Sequence, residues 1–162
     1  MSTSGATGSG AASEVVEALA EHEDAIGDLY EAYGVCFAET ASFWRGLSAE
    51  EYGHGSLMRD LTGHEHEHEL DVFVDTRRFP LPELRSATRG VRDQIEVAES
   101  SRLSLVEALQ TALGFEQEIV ERDAYQVFTS DSTNVARVLS HLRVSSERHR
   151  DSIRELLMRQ PR

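Results

Sequence analysis

Two residue types able to hold a metal ion meet in the stretch Leu47-Ser-Ala-Glu-Glu51-Tyr-Gly-His54. Glu51 and His54 stand three apart, in a run where Leu47, Leu57 and Leu61 keep helical spacing. On a helix, residues at i and i+3 share a face, so this carboxylate and this imidazole can reach one ion. Glu-x-x-His arises by chance in many acidic helices, and the pair gains weight only from an internal repeat. Shifted by 95 residues, Glu23, Tyr30 and Tyr33 fall on Glu118, Tyr125 and Phe128. Leu47, His54, Met58 and Leu61 fall on Leu142, His149, Ile153 and Leu156.

The repeat carries a geometry. Glu23 and Glu51 lie 28 residues apart, as do Glu118 and position 146. In an antiparallel helix pair, two residues share a level when the turn falls midway between them, here at Phe37 and Ser132. Thr129-Ser-Asp-Ser-Thr-Asn134, around the second midpoint, is rich in N-cap residues. Phe37-Ala-Glu-Thr40 is the poorer turn signal. At a rise of about 1.5 Å per residue, each ligand level lies roughly 20 Å from its turn. The spacing predicts two helical hairpins with acidic residues turned inward.

This constellation resembles the rubrerythrin branch of the ferritin-like superfamily, whose dinuclear metal site takes one Glu from each of two helices and a Glu-x-x-His from each of the other two. The resemblance spans residues 14–62 and 103–158. It implies an all-α, ferritin-like antiparallel four-helix bundle made of two duplicated hairpins, joined by a long crossover. Carried over by position, Glu23 and Glu118 become the lone helix glutamates, Glu51 with His54 the first pair, and His149 the second imidazole. Tyr30 and Tyr125 would hydrogen-bond ligand glutamates from opposing helices; without the resemblance both read as core aromatics. The implied cofactor is iron, as two ions, with manganese or zinc as alternatives. The implied activity is that of a peroxidase or ferroxidase, oxidising Fe(II) and reducing peroxide or oxygen. Family members commonly form homodimers. Many also carry a rubredoxin module, for which this chain has neither room nor ligands, so any electron donor is external.

The second pair departs from the pattern. It reads Ser146-Glu-Arg-His149, with a serine where a glutamate is expected. Glu147 lies about 100° away around the helix. Four glutamates balance two divalent ions; Glu23, Glu51 and Glu118 leave one positive charge over. Glu121, one turn after Glu118, and Glu147 are the carboxylates that could compensate. Otherwise the site holds one ion, or an asymmetric pair with water at the gap. Three classes therefore stand open: a redox enzyme, a metal-binding module without turnover, and a helical interaction domain with a polar centre.

Composition narrows the remaining field. The chain has 162 residues, 40% hydrophobic, with a formal net charge of −13, a length that suits one domain. All of its 16 basic residues are arginine. Phosphate contacts need clustered basic groups, so nucleic acid and anionic membranes are disfavoured as partners. Residues 1–12 are small and polar, without the basic start and apolar core of a signal peptide, and read as a disordered tail before a bundle domain over 13–160. No run approaches the roughly 18 apolar residues of a membrane helix, and a cytoplasmic address is the default expectation. The single cysteine, Cys36, excludes an internal disulfide or a Cys-x-x-Cys metal site and reads as a small apolar filler near the first turn.

The elements that must position the ligands follow from apolar periodicity. Helices are predicted over 13–38, 40–61, 103–128 and 132–158. Glu23 interrupts the stripe of Val16, Leu19, Ile26 and Tyr30, and a carboxylate facing a core needs a partner. Trp44 reads as core. His64, His66 and His68 form either a solvated helix end or a surface feeder site for iron. Residues 70–81, with Val-Phe-Val and a proline, predict an extended crossover. An additional helix over 82–99 is expected to cover a bundle opening or an oligomer interface.

Overall fold

The computed structural model describes residues 7–63, 73–74, 80–100, 102–121, 128–129 and 133–161, with side chains described over 13–61, 80–100, 102–119 and 133–161. The chain is all-α. Its helices are α1 (Thr7–Cys36), α2 (Ala41–Gly63), α3 (Leu81–Ser100), α4 (Leu105–Glu121) and α5 (Thr133–Met158). A single 3₁₀ turn, Ala38–Thr40, joins α1 to α2. The one departure among the described residues is a two-residue antiparallel ladder, β1 (Phe73–Val74) with β2 (Phe128–Thr129).

Each long helix carries a seam with steps of three and four residues, the pattern that keeps one face towards a partner helix. On α1 it runs Val16, Leu19, Glu23, Ile26, Tyr30, Tyr33; on α2, Trp44, Leu47, Glu51, His54, Met58, Leu61; all of these are buried. On α4 the seam runs Leu109, Ala112, Glu116, Ile119, and on α5 Val135, Leu139, Leu142, Ser146, His149, Ile153. The apolar members shield the polar ones above and below. At about 25 cal/mol per Å², this burial is the principal force holding the helices together.

α1 packs against α2 and α3, α4 against α5, and α2 against α5. The α1–α2 pair is antiparallel: Arg59 reaches Glu17 at 3.1 Å and Asp24 at 2.8 Å, while Tyr52 donates to Asp28 at 2.7 Å. The two backbones come close where Gly55 faces α1. A Cβ there would lie 3.1 Å from the carbonyl oxygen of Ala20 and would collide with the Asp24 carboxylate. A side chain at this point would push apart the helices that carry Glu23 and His54.

Several expectations change. α1 starts at Thr7, not at Ser13, so residues 7–12 belong to the helix, where Ala11 and Ala12 favour it. The third predicted helix is helical over Leu105–Glu121, but its expected end at Phe128 falls in a strand, Phe128–Thr129; an aromatic followed by a β-branched residue suits extended backbone. The crossover is extended at Phe73–Val74, as its Val-Phe-Val predicts. The additional helix, α3, lies along the side of α1 rather than over a bundle opening, tied to it by Arg85–Glu14 at 2.8 Å and by Thr88–His22 at 3.0 Å. Cys36 is exposed, its thiol donating to the carbonyl of Ala98 at 3.4 Å, so it fills no core space. At the head of α4, Ser104 and Glu107 form a reciprocal capping box: Ser104 N–H donates to Glu107 at 2.8 Å and Glu107 N–H to the Ser104 hydroxyl at 3.2 Å. No helix is long and apolar enough to cross a membrane among the described residues.

Candidate metal centre

Glu23, Glu51, His54, Glu116, Ser146 and His149 are the polar members of the four seams, and all are buried. Glu51 stands at the middle. Its Oε2 lies 2.9 Å from His54 Nδ1, and its Oε1 lies 2.5 Å from His149 Nδ1. Each imidazole has a second carboxylate nearby: Glu23 Oε2 is 3.6 Å from His54 Nδ1, and Glu116 Oε1 is 3.7 Å from His149 Nδ1. The two rings stack at 5.4 Å with planes 21° apart. Donor atoms of Glu51, His54 and His149 lie within 4.8 Å of one another, close enough to share one ion.

Of the six ligands expected from the sequence, the structure brings four together: Glu23, Glu51, His54 and His149. Glu118 is exposed, and Glu116 takes its place at 1% exposure. The reason is helical phase. Glu116 continues the Leu109–Ala112–Ile119 seam, whereas Glu118, two residues on, points roughly 200° away. The side chain of Glu121 and the whole of Tyr125 lie outside the described residues, as do His64, His66 and His68. Glu147 faces outwards and pairs with Arg143 at 3.6 Å. Ser146 does face the cluster, with its hydroxyl turned back to the Leu142 carbonyl at 3.2 Å, a local bond that serines in helices often make.

Tyr30 donates its hydroxyl to Glu116 Oε1 at 2.7 Å across the α1–α4 gap, the kind of contact expected of it, with Glu116 as the glutamate. Its neighbours are Trp44, at 5.5 Å between ring centres, and through Trp44 the ring of Tyr33 at 5.0 Å. The indole nitrogen of Trp44 is buried with no hydrogen-bond partner among the described residues.

Two further residues were not singled out by the sequence pattern. Glu50 precedes Glu51 and reaches the far nitrogen of His149, Nε2, at 2.9 Å. His22, beside Glu23, is buried against α3. Thr88 gives its hydroxyl proton to the Leu84 carbonyl at 3.0 Å, so His22 Nδ1 must be the donor in its 3.0 Å bond to Thr88. Burial lowers the His22 pKa, outweighing the nearby Glu23, Glu118 and Glu116 charges.

The electrostatics of the cluster are those of a proton-loaded site. Burial disfavours charge on every member, but His54 is raised to about 9 by its bonds to Glu23 and Glu51. His149 is raised to about 11 because Glu116 and Glu51 outweigh its burial. Burial also pushes Glu23 upward, yet bonds to His54 and Glu51 overcome it and hold the carboxyl at about 2. Glu51 moves the other way, up to about 8, through burial and the Glu116 charge, against the pull of both imidazoles. Both members of the Glu51–His149 contact are thus pushed upward. With carboxylates in excess over imidazoles, the surplus charge keeps protons on the cluster as a whole.

Fold and site together define an all-α protein with a buried carboxylate–imidazole cluster of a kind that can hold metal. Comparison with known proteins returns no match: no protein-family model, curated protein or solved structure resembles the chain significantly.

Proposed function

We propose that the chain is a ferritin-like bundle whose buried cluster holds two metal ions, iron by preference, and that it oxidises Fe(II) while reducing peroxide or oxygen. The observation that carries this reading is the divided use of Glu51. One oxygen faces His54 with Glu23 behind it, and the other faces His149 with Glu116 behind it. That is two similar donor sets sharing one bridging carboxylate.

The donor chemistry suits iron, because hard carboxylate oxygens with neutral imidazole accommodate both Fe(II) and Fe(III). The choice of iron over manganese or zinc rests on the resemblance to rubrerythrins. Two ferrous ions held here would supply one electron each, the two electrons that, with two protons, reduction of peroxide to water consumes. The residues around them have distinct tasks. Glu51 would be shared between the two ions, Glu23 and Glu116 would each hold one of them, and Tyr30 fixes the rotamer of Glu116 through its 2.7 Å hydrogen bond. The apolar seam residues above and below keep bulk water out. Ser146 stands where the resemblance implies a second carboxylate, so the centre has one anionic ligand fewer there.

A one-ion binding module is the competing reading. It is favoured by Ser146 and by the tight Glu51, His54, His149 trio. Anaerobic loading with ferrous iron, metal analysis and then peroxide addition separates the two. Two irons per chain with rapid peroxide-dependent oxidation support the enzyme, and one firmly held, unreactive ion supports the module. Glu51→Ala abolishes loading in either case; a Glu51→Ala variant that binds iron like the parent refutes the ligand assignment.

A further inference from the structure

The geometry points to Glu50 as the positioning residue for His149, and so to two unequal metal positions, the one beside His149 being tighter and first to fill. This rests on the two-position reading of the centre. His149 is 1% exposed, and both its ring nitrogens meet carboxylates from α2: Nδ1 faces Glu51 Oε1 at 2.5 Å and Nε2 faces Glu50 Oε2 at 2.9 Å. Glu50 itself is 43% exposed at the seam between α2 and α5. Three donors of α5 converge on its Oε2. They are His149 Nε2, the Ser145 hydroxyl at 3.5 Å, and the Arg148 guanidinium. Arg148 also donates to Ser145 at 3.2 Å, closing the group on itself.

A carboxylate at Nε2 does two things to a ligand imidazole. It keeps the proton on Nε2, leaving the lone pair on Nδ1, and it stiffens the ring against rotation. Both favour the inward donor that faces Glu51 and Glu116. It also makes the imidazole a stronger base towards an ion. Among the described residues, no carboxylate meets Nε2 of His54, so the sharing of Glu51 hides a difference between the two sides. Consecutive residues of α2 thereby serve the second position in different ways, Glu51 by ligation and Glu50 by holding the ligand from α5.

The test is a titration of the full chain with Co(II) under anaerobic conditions, followed by visible absorption, which reports coordination directly. The parent is expected to load in two steps. His149→Ala removes the tighter step, and His54→Ala the weaker. Glu50→Ala weakens the tighter step by about 10–100-fold, the usual effect of losing such a partner, and leaves the weaker step in place. Glu50→Gln keeps an acceptor for Nε2–H and restores part of the loss. Glu147→Ala removes a carboxylate of the same helical region that faces away from the centre, and changes neither step. Two steps that Glu50→Ala leaves untouched overturn the role of Glu50 while the two-position centre stands. A single step that Glu50→Ala weakens overturns the two-position centre while the role of Glu50 stands. No Co(II) binding by the parent overturns both.

Discussion

Metal uptake by this cluster should be read first in protons. Three buried carboxylates, Glu23, Glu51 and Glu116, face two buried imidazoles, His54 and His149. With both imidazoles neutral the cluster would carry three negative charges, and burial favours cancelling them. His54 at about 9, His149 at about 11 and Glu51 at about 8 are the groups that carry those protons at pH 7. A divalent ion brings two positive charges and so displaces about two protons. A second ion displaces the third and leaves one surplus positive charge, which hydroxide formed from water cancels with release of a fourth. Displacing a proton at pH 7 costs roughly 3 kcal/mol from a group at about 9 and roughly 5 from one at about 11. Affinity should therefore climb up to about a hundredfold per pH unit while two protons leave per ion. Calorimetric titration with Co(II) or Fe(II) in buffers of different ionisation enthalpy counts these protons. One ion per chain gives about two, and two ions give three to four. Release of fewer than one proton per ion, or an affinity that stays flat from pH 6 to 8, would refute ligation by these imidazoles.

Other expectations follow from the same geometry. Glu116→Gln keeps an acceptor for Tyr30 but removes an anionic ligand, and should cut iron stoichiometry or affinity by at least tenfold, whereas Glu118→Gln should leave both near the parent value; metal analysis after loading decides. Ser146→Glu adds a fourth buried carboxylate, so the metal-free protein should lose about 3–5 kcal/mol of stability, the scale of an uncompensated buried charge. The metal-loaded variant should bind two ions more tightly than the parent, and urea melts with and without metal read both effects. The metal-free parent should melt highest near pH 4.5, where the gain from Glu23 ends and the loss from Glu51 begins. His54 and His149 are raised above the ordinary 6.5, so their contribution is complete below that pH and is lost as pH rises through about 9 and about 11. Glu51, raised to about 8, likewise loses its contribution between 4.5 and 8. Glu23, held at about 2, contributes above 4.5 and loses that as pH falls towards 2. Thermal melts by circular dichroism from pH 3 to 10 trace the curve, and a flat profile would contradict the shifts.

The sequence made the hairpins legible because their signal is redundant. Seam spacing, the Glu-x-x-His pair and the midpoint rule all lead to Glu23, Glu51 and His54 on one level, and α2, α3 and α5 begin and end within a few residues of expectation. Glu118 is misplaced because the repeat, and not the local helix, points to it. The matching offset of 95 holds from α2 to α5, but α4 is out of step by two residues, and two residues turn a helix by roughly 200°. The local seam of Leu109, Ala112 and Ile119 already singled out Glu116. Glu50 left no such trace. As a half-exposed acid on an acidic helix it resembles any solvated residue, and only the approach of α5 gives it a partner. Cys36 failed for the opposite reason: thiols are commonly buried, and nothing local revealed that the end of α1 stays open to solvent.

The lone tryptophan gives this molecule a gauge of its own. Trp44 lies one aromatic ring from Tyr30, whose hydroxyl touches the Glu116 carboxylate. Changes at that carboxylate are thus relayed, through a fully enclosed contact, to the strongest natural fluorophore in the chain. An ion binding at that carboxylate should therefore be detectable by the intrinsic emission of Trp44, without dyes, tags or added chromophores.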